Sequence, residues 1–290
     1  MEWRPLVSSL KNKIAKRISP IPLMFYELRK DFKGFRSKRT ARKHGEPIDM
    51  HGADHLHIYM TLVCNLNCYF CINKILVDSP VKYGSYQLSA WVDFLNRLHG
   101  IRELYFNGGE HFLIKGFSDV INSLDNFNVL IFTNLPEKGL DEISKLKKHN
   151  NNIILKMSYH PLNDVPINQY IKRTKIIPKG ILWNPHIIRA EGVSTGMYLD
   201  RFRREGILAT SDELVYNIYM KHRLARRVLC RTNEHIIGPD MKMYRCLVHL
   251  LNGKNAEEID DYSFMHEYIE CNYFPKCNTC SAYNDIEEIE

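Results

Sequence analysis

Apolar residues recur every four positions at Leu6, Leu10, Ile14 and Ile18, and Lys11, Lys13, Lys16 and Arg17 fall between them. This spacing predicts a short amphipathic helix, which Pro20 and Pro22 end. A second basic stretch, Arg29 to Lys43, carries few apolar residues and runs into Gly45 and Pro47. From His55 onward, strand-like and helix-like runs alternate. Strands are expected over residues 56–63, 102–106, 128–133, 153–158, 181–188 and 207–210. Between them, Trp91, Phe94, Leu95 and Leu98 keep the i, i+3, i+4, i+7 spacing of a helix face, as do Phe117, Val120, Ile121 and Leu124. Val215, Ile218 and Tyr219 continue the helical pattern behind a Thr210…Glu213 capping box. Repeated strand–helix units imply parallel strands with helices packed outside.

Chain length decides how far such a sheet can close. His55 to His222 is 168 residues, or 28 for each of six units, whereas a full eight-unit barrel needs roughly 250. The expected fold is α/β: a partial (β/α)6 barrel with its functional edge at the strand C-termini. Residues 1–50 form a basic N-terminal extension, 51–225 the barrel, and 226–290 a small cysteine-rich C-terminal domain.

Composition adds a compartment and two candidate sites. A 44% hydrophobic and 25% charged chain is ordinary for a globular protein. No run approaches the ~18 apolar residues of a membrane span, and no secretory signal is legible, so a cytoplasmic location is expected. The net charge of +7 is uneven: residues 1–44 hold 13 Lys and Arg against 3 acidic residues, +10, which leaves −3 for the remainder. The body is thus slightly acidic, which argues against nucleic-acid steering. Eight cysteines without an export signal point to metal or catalysis rather than disulfides. Cys64, Cys68 and Cys71 lie together, Cys230, Cys246, Cys271, Cys277 and Cys280 fall in the last quarter, and the middle has none.

Cys64-Asn-Leu-Asn-Cys68-Tyr-Phe-Cys71 follows directly on the first expected strand, and Asn107-Gly108-Gly109-Glu110 ends the second. The C-x3-C-x2-C loop with an aromatic residue before its last cysteine resembles the signature of the radical S-adenosylmethionine superfamily, over about residues 55–280. The resemblance implies a four-iron cluster held by three thiolates, Cys64, Cys68 and Cys71, with one iron left open. That iron would chelate S-adenosylmethionine, and electron injection would give methionine and a 5′-deoxyadenosyl radical. Reduced core cysteines or a partial zinc site are the plainer alternatives.

The second motif resembles the family's Gly-Gly-Glu-Pro, with His111 in place of proline. Gly108 and Gly109 would allow close backbone approach, and Glu110 would take the cofactor's ammonium in a charge-assisted hydrogen bond. Ser158 stands where the family often places a hydroxyl near the ribose, Phe70 would lie against the adenine, and Arg189 could pair with the cofactor carboxylate. Thr133 and Asn134 end the third strand and join these cofactor-binding candidates. Each also reads as an ordinary polar rim or packing residue. Tyr69 and His160 are read as packing or rim residues.

Cys230 precedes an expected hairpin, residues 235–237 and 242–245 around Gly238-Pro239-Asp240, and Cys246 closes it. With Cys277-Asn-Thr-Cys280 this resembles the auxiliary-cluster "twitch" domain, a shortened SPASM domain. It implies a second, fully ligated [4Fe-4S] cluster on Cys230, Cys246, Cys277 and Cys280. A structural zinc on the same four thiols is the rival. Met241 stands where a glycine is common, and Cys271 is read as a buried small residue.

The function expected is hydrogen abstraction from a small polar metabolite or a peptide, giving net oxidation or a cross-link, with a flavodoxin- or ferredoxin-type electron donor. Twitch-type relatives include amino-sugar dehydrogenases, and SPASM-type relatives often modify ribosomally made peptides. The chain leaves no room for a leader-peptide domain of about 80 residues. That tilts the expectation toward a small metabolite, or a peptide delivered by another protein. The alternatives are an RNA-modifying radical enzyme gripping phosphates through the basic arm, and a one-cluster enzyme with a C-terminal zinc. The arm is otherwise a solvated extension or a membrane-surface element.

Overall fold

The computed structural model describes residues 47–50, 55–68, 71, 73, 87–124, 127–147, 152–162, 165–189, 193–212, 227–231, 235–253, 256–257, 268–271 and 285–289. The expected helix over 6–18, the basic stretch after it, and the helix of Val215, Ile218 and Tyr219 lie outside the described residues. So do Tyr69, Phe70, Glu213, Cys277 and Cys280.

In chain order the first strands and helices are β1 (Ile48–Asp49), β2 (His55–Ile58), α1 (Leu88–Arg97), β3 (Leu98–His99), β4 (Glu103–Phe106), α2 (Phe117–Asn122), β5 (Asn128–Thr133) and α3 (Leu140–Ser144). They continue with β6 (Asn152–Tyr159), α4 (Ile167–Thr174), β7 (Leu182–Ile188), α5 (Gly196–Arg204), β8 (Thr210–Asp212) and β9 (Arg227–Arg231). The last are β10 (Ile236–Ile237), β11 (Met243–Tyr244), α6 (Leu247–Leu251), β12 (Ala256–Glu257), β13 (Ile269–Glu270) and β14 (Asp285–Ile289).

The main sheet runs β12-β11-β10-β2-β4-β5-β6-β7-β8, and β2 through β8 in that order pair in parallel. This is an α/β fold on a mostly parallel sheet. The alternation that predicted the strands is the one that orients them. Leu56, Ile58, Leu104, Phe106, Val129 and Ile131 are buried on one face, while His55, His57, Glu103 and Tyr105 are half-buried on the other. Trp91, Phe94 and Leu95 of α1 and Phe117, Val120 and Ile121 of α2 join the buried face in one core. Each such side chain contributes about 1.5–3 kcal/mol by leaving water. Glu142 of α3 ties this layer together: it accepts from Ser118 Oγ at 2.6 Å and from Lys145 Nζ at 2.7 Å. Burial alone would raise its pKa, but the hydrogen bonds from Lys145 and Ser118 outweigh that and hold it at about 2.

Two expectations need correction. The first strand stops at Ile58, and residues 59–63 leave the sheet to run along the edge of the Gly108–Gly109 turn. The sixth is Thr210–Asp212 rather than 207–210, so Thr210 is a strand residue and not a helix cap. Pairing with β7 overrides the local signal, with Thr210 Oγ1 bonded to Nδ1 of His186 at 2.8 Å. The hairpin forms where expected, Ile236 opposite Tyr244, but its first strand also pairs in parallel with β2, Ile236 opposite His57. Part of the segment 226–290 therefore extends the main sheet. Cys230 instead sits in β9, at the centre of a separate antiparallel sheet β13-β9-β14.

Candidate active site

Parallel strands deliver their C-terminal ends to one edge, and the two motifs meet there. Beyond β2 and β4 the backbone stays paired: Asn107 N–H donates to Ile58 O at 3.0 Å, Gly109 N–H to Thr61 O at 2.9 Å, and Glu110 N–H to Val63 O at 2.8 Å. Cys64 is the next residue. The contact requires glycine. Gly108 has φ +113°, and a Cβ on Gly109 would lie 2.1 Å from the carbonyl oxygen of Val63.

Glu110 is buried, at 1% exposure, and its carboxylate organises the edge. It accepts from Thr133 Oγ1 at 3.0 Å, from the backbone N–H of Asn134 at 2.7 Å and from that of Phe112 at 3.2 Å. The last bond caps the 3-10 turn His111–Leu113. His111 takes the first position of that turn, a place that also suits proline. Its ring packs on Phe106 and Phe117, and neither ring nitrogen has a hydrogen-bond partner among the described residues. Burial lowers its pKa to about 3, so it is neutral at pH 7.

Asn134 bridges the motifs. Its side-chain amide donates to Asn65 Oδ1 at 3.1 Å and to Cys64 Sγ at 3.6 Å. Its Oδ1 is buried with no hydrogen-bond partner among the described residues. Such an acceptor costs about 1–3 kcal/mol until a ligand supplies a donor. The next residue, Leu135, is left-handed at φ +52°, and Arg173 of α4 holds its carbonyl at 2.9 Å.

Cys64 is exposed, Cys68 buried and Cys71 half-buried, and none is in a disulfide. Cys64 Sγ also accepts from the backbone N–H of Leu66 at 3.4 Å, and Nδ1 of His160 lies 3.5 Å from Cys68 Sγ. Burial lowers the pKa of His160 to about 4. In donor chemistry this loop fits an iron–sulfur cluster: three thiols, with N–H groups aimed at Cys64 Sγ and an imidazole nitrogen beside Cys68 Sγ. Among the described residues no three His, Cys, Asp or Glu side chains are gathered closely enough to hold a metal ion.

No protein-family model matches the chain. An alignment of 108 positions, covering 35% of the chain, is 32% identical to the sporulation killing factor maturation protein SkfB of Bacillus subtilis. The aligned stretch spans a quarter of the length of SkfB. Two crystal structures of Streptococcus suis SuiB, one bound to precursor peptide SuiA and one to S-adenosylmethionine, superpose on 77% and 84% of this chain. They cover 65% and 74% of SuiB, at 10% and 12% identity, with TM-scores of 0.41 and 0.40. Both scores fall below the level at which a common fold follows.

The other positions expected from the family pattern lie on this edge or apart from it. Ser158, half-buried near the end of β6, is in register with His186. Arg189 is exposed just past β7. Asn65, His160 and Arg173 contribute contacts that the motifs do not specify: Asn65 is one of the three residues that the spacing of the first two cysteines leaves open, and Arg173 lies on a helix far along the chain. The half-buried sheet face also holds Lys156, whose Nζ lies 5.3 Å from the ring centre of Phe132, and Asn184 beside Thr210. In the C-terminal segment, Cys230 lies opposite Ile269 and Ile286, and Cys246 precedes α6. Cys271, expected to be buried, is half-buried just after β13.

Proposed function

We propose that the chain reductively cleaves S-adenosylmethionine and uses the resulting 5′-deoxyadenosyl radical to take hydrogen from a peptide, giving net oxidation or a cross-link. The observation that carries the reading is the paired edge, where the Glu110 N–H bonds to the Val63 carbonyl and so brings the Gly-Gly-Glu turn beside the cysteine loop. In this reading the six parallel strands form a partial barrel and residues 226–290 a twitch-like domain. Cys64, Cys68 and Cys71 hold a [4Fe-4S] cluster, which when bound supplies the electron that splits the cofactor.

The chain's own part is to bind and orient. Glu110, with the backbone at Gly108 and Gly109 and the amide oxygen of Asn134, accepts the cofactor's ammonium, and Thr133 fixes the carboxylate in place. Ser158 serves the ribose, Phe70 the adenine and Arg189 the cofactor carboxylate. Cys230, Cys246, Cys277 and Cys280 carry a second, closed cluster, and a ferredoxin- or flavodoxin-type protein delivers electrons. The peptide substrate is supported by the likeness to a maturation protein. No helix among the described residues is long and apolar enough to cross a membrane.

The test is hydrogen transfer. Reduced, reconstituted enzyme is given S-adenosylmethionine and a deuterated candidate peptide encoded beside its gene. Deuterium in 5′-deoxyadenosine and a peptide lighter by a hydrogen pair are expected. Cofactor cleavage with neither change for the peptide, but with deuterium taken from a small polar metabolite, would replace the substrate class.

A further inference from the structure

The motifs say which cysteines lie in the loop and nothing about what surrounds their sulfurs. Two side chains from the ends of neighbouring strands reach them. Asn134, just past β5, places Nδ2 3.6 Å from Cys64 Sγ, and His160, just past β6, places Nδ1 3.5 Å from Cys68 Sγ. Neither belongs to the loop: the partners are 70 and 92 residues apart in sequence.

The orientation of the Asn134 amide is fixed by its neighbours. Asn65 Oδ1 accepts from the NH2 end at 3.1 Å and Cys64 Sγ lies 3.6 Å from the same nitrogen, so the NH2 end faces the loop. The reverse orientation would set oxygen against oxygen and sulfur. The backbone N–H of Asn134 is held by Glu110 and the following carbonyl by Arg173, so the donor is aimed by a rigid turn. His160 is half-buried at the strand end, and its ring is carried directly on the backbone leaving β6.

An N–H aimed at a cluster sulfur stabilises negative charge there. Reduction adds an electron that is spread over iron and sulfur, so the donor stabilises the reduced form more than the oxidised one. We infer that Asn134 and His160 are positioning residues that donate hydrogen bonds to the thiolates of Cys64 and Cys68 and thereby raise the reduction potential of the first cluster. The inference rests on the reading that this triad holds a cluster. It adds that the potential is set from the strand ends β5 and β6, beyond the loop itself.

The experiment is an EPR-monitored redox titration of the full-length, reconstituted chain, with the open-iron cluster recognised by the change in its signal on adding S-adenosylmethionine. Asn134→Leu keeps the shape and removes the donor. His160→Phe removes the other, and His160→Asn restores an N–H near the place of Nδ1. Asn134→Leu and His160→Phe each shift the potential to more negative values, their combination shifts it further, and His160→Asn returns it close to wild type. A purely structural role would lower cluster content without moving the potential of the cluster that remains. In wild type labelled with 15N-histidine, pulsed EPR of the reduced cluster finds a nitrogen coupling that His160→Phe abolishes. This measurement stands even if the variants lose their cluster. Unchanged potentials in cluster-loaded variants, or no histidine coupling in wild type, would overturn the inference. A wild type that assembles no cofactor-responsive cluster would overturn the triad reading itself.

Discussion

The backbone N–H of Asn134 donates to Oε2 of Glu110 at 2.7 Å, and the side chain of the same asparagine reaches Cys64. One residue thus joins the carboxylate proposed for the cofactor's ammonium to the loop proposed for the cluster. Glu110 consequently has a structural part as well, because it also caps the turn at His111 and fixes Thr133.

Replacing Glu110 by Gln has two costs. The amide keeps one acceptor oxygen and sets an NH2 against donors from Thr133 and Asn134. S-adenosylmethionine affinity falls by on the order of 1.5–3 kcal/mol, the range for hydrogen bonds to a charged group. Calorimetry on reconstituted protein measures this, and iron content stays at the wild-type value. Unaltered affinity would remove Glu110 from the cofactor site.

Gly109→Ala acts on the same edge through backbone. A methyl 2.1 Å from the Val63 carbonyl cannot be relieved by a side-chain rotation, so the pairing of the two motifs must open. Cofactor affinity and cluster content both drop in this variant, while far-ultraviolet circular dichroism stays close to wild type. Wild-type affinity in Gly109→Ala would contradict the close approach.

His111 gives the fold an acid sensitivity. Its folded-state pKa, about 3, lies below the ordinary value of 6.5. Its contribution is therefore complete above pH 6.5 and is lost as pH falls toward 3, because the unfolded chain takes a proton that the folded chain refuses. The loss is about 1.4 kcal/mol per pH unit for a fully resisted protonation, or about 2 kcal/mol between pH 7 and pH 5. His57, lowered to about 3 by burial first and then by His55 and His235, behaves alike. Urea midpoints at pH 7 and pH 5 should differ less in His111→Phe than in wild type. An equal difference in the two proteins would show that His111 is not the group responsible.

Much of the fold is legible in the alternation of the chain, and the exceptions have physical causes. Asn128 to Thr133 alternates cleanly, and the strand has those bounds. The apolar Ile207 drew the sixth strand too early: Ile207 and Ala209 pack against the core, while the ladder to β7 begins at Thr210. The hairpin is legible from Gly238-Pro239-Asp240, but its pairing with β2 is not, because Ile236 and His57 are distant in sequence and nothing local specifies the partner. The same holds for the site. That Glu110, Thr133 and Asn134 lie together is legible because parallel strand ends share an edge. The contact of His160 with Cys68 and that of Arg173 with Leu135 exist only in three dimensions.

The backbone at Met241 adopts a conformation that favours glycine. It is left-handed, with φ +57°, in the turn between β10 and β11. A non-glycine residue in that region costs roughly 1–2 kcal/mol. Met241 packs partly against the core, which offsets some of the strain. Met241→Gly should raise the urea midpoint by an amount worth up to about 1 kcal/mol. A lower midpoint would mean that the packing of Met241 outweighs its strain.

The central claim is that Cys64, Cys68 and Cys71, beside Glu110, form the centre that cleaves S-adenosylmethionine. The most direct measurement is 5′-deoxyadenosine release by anaerobically reconstituted, dithionite-reduced protein, with wild type compared against the variant in which all three cysteines are alanine. Release by wild type and none by the variant is the predicted result, and equal release by both would contradict the account.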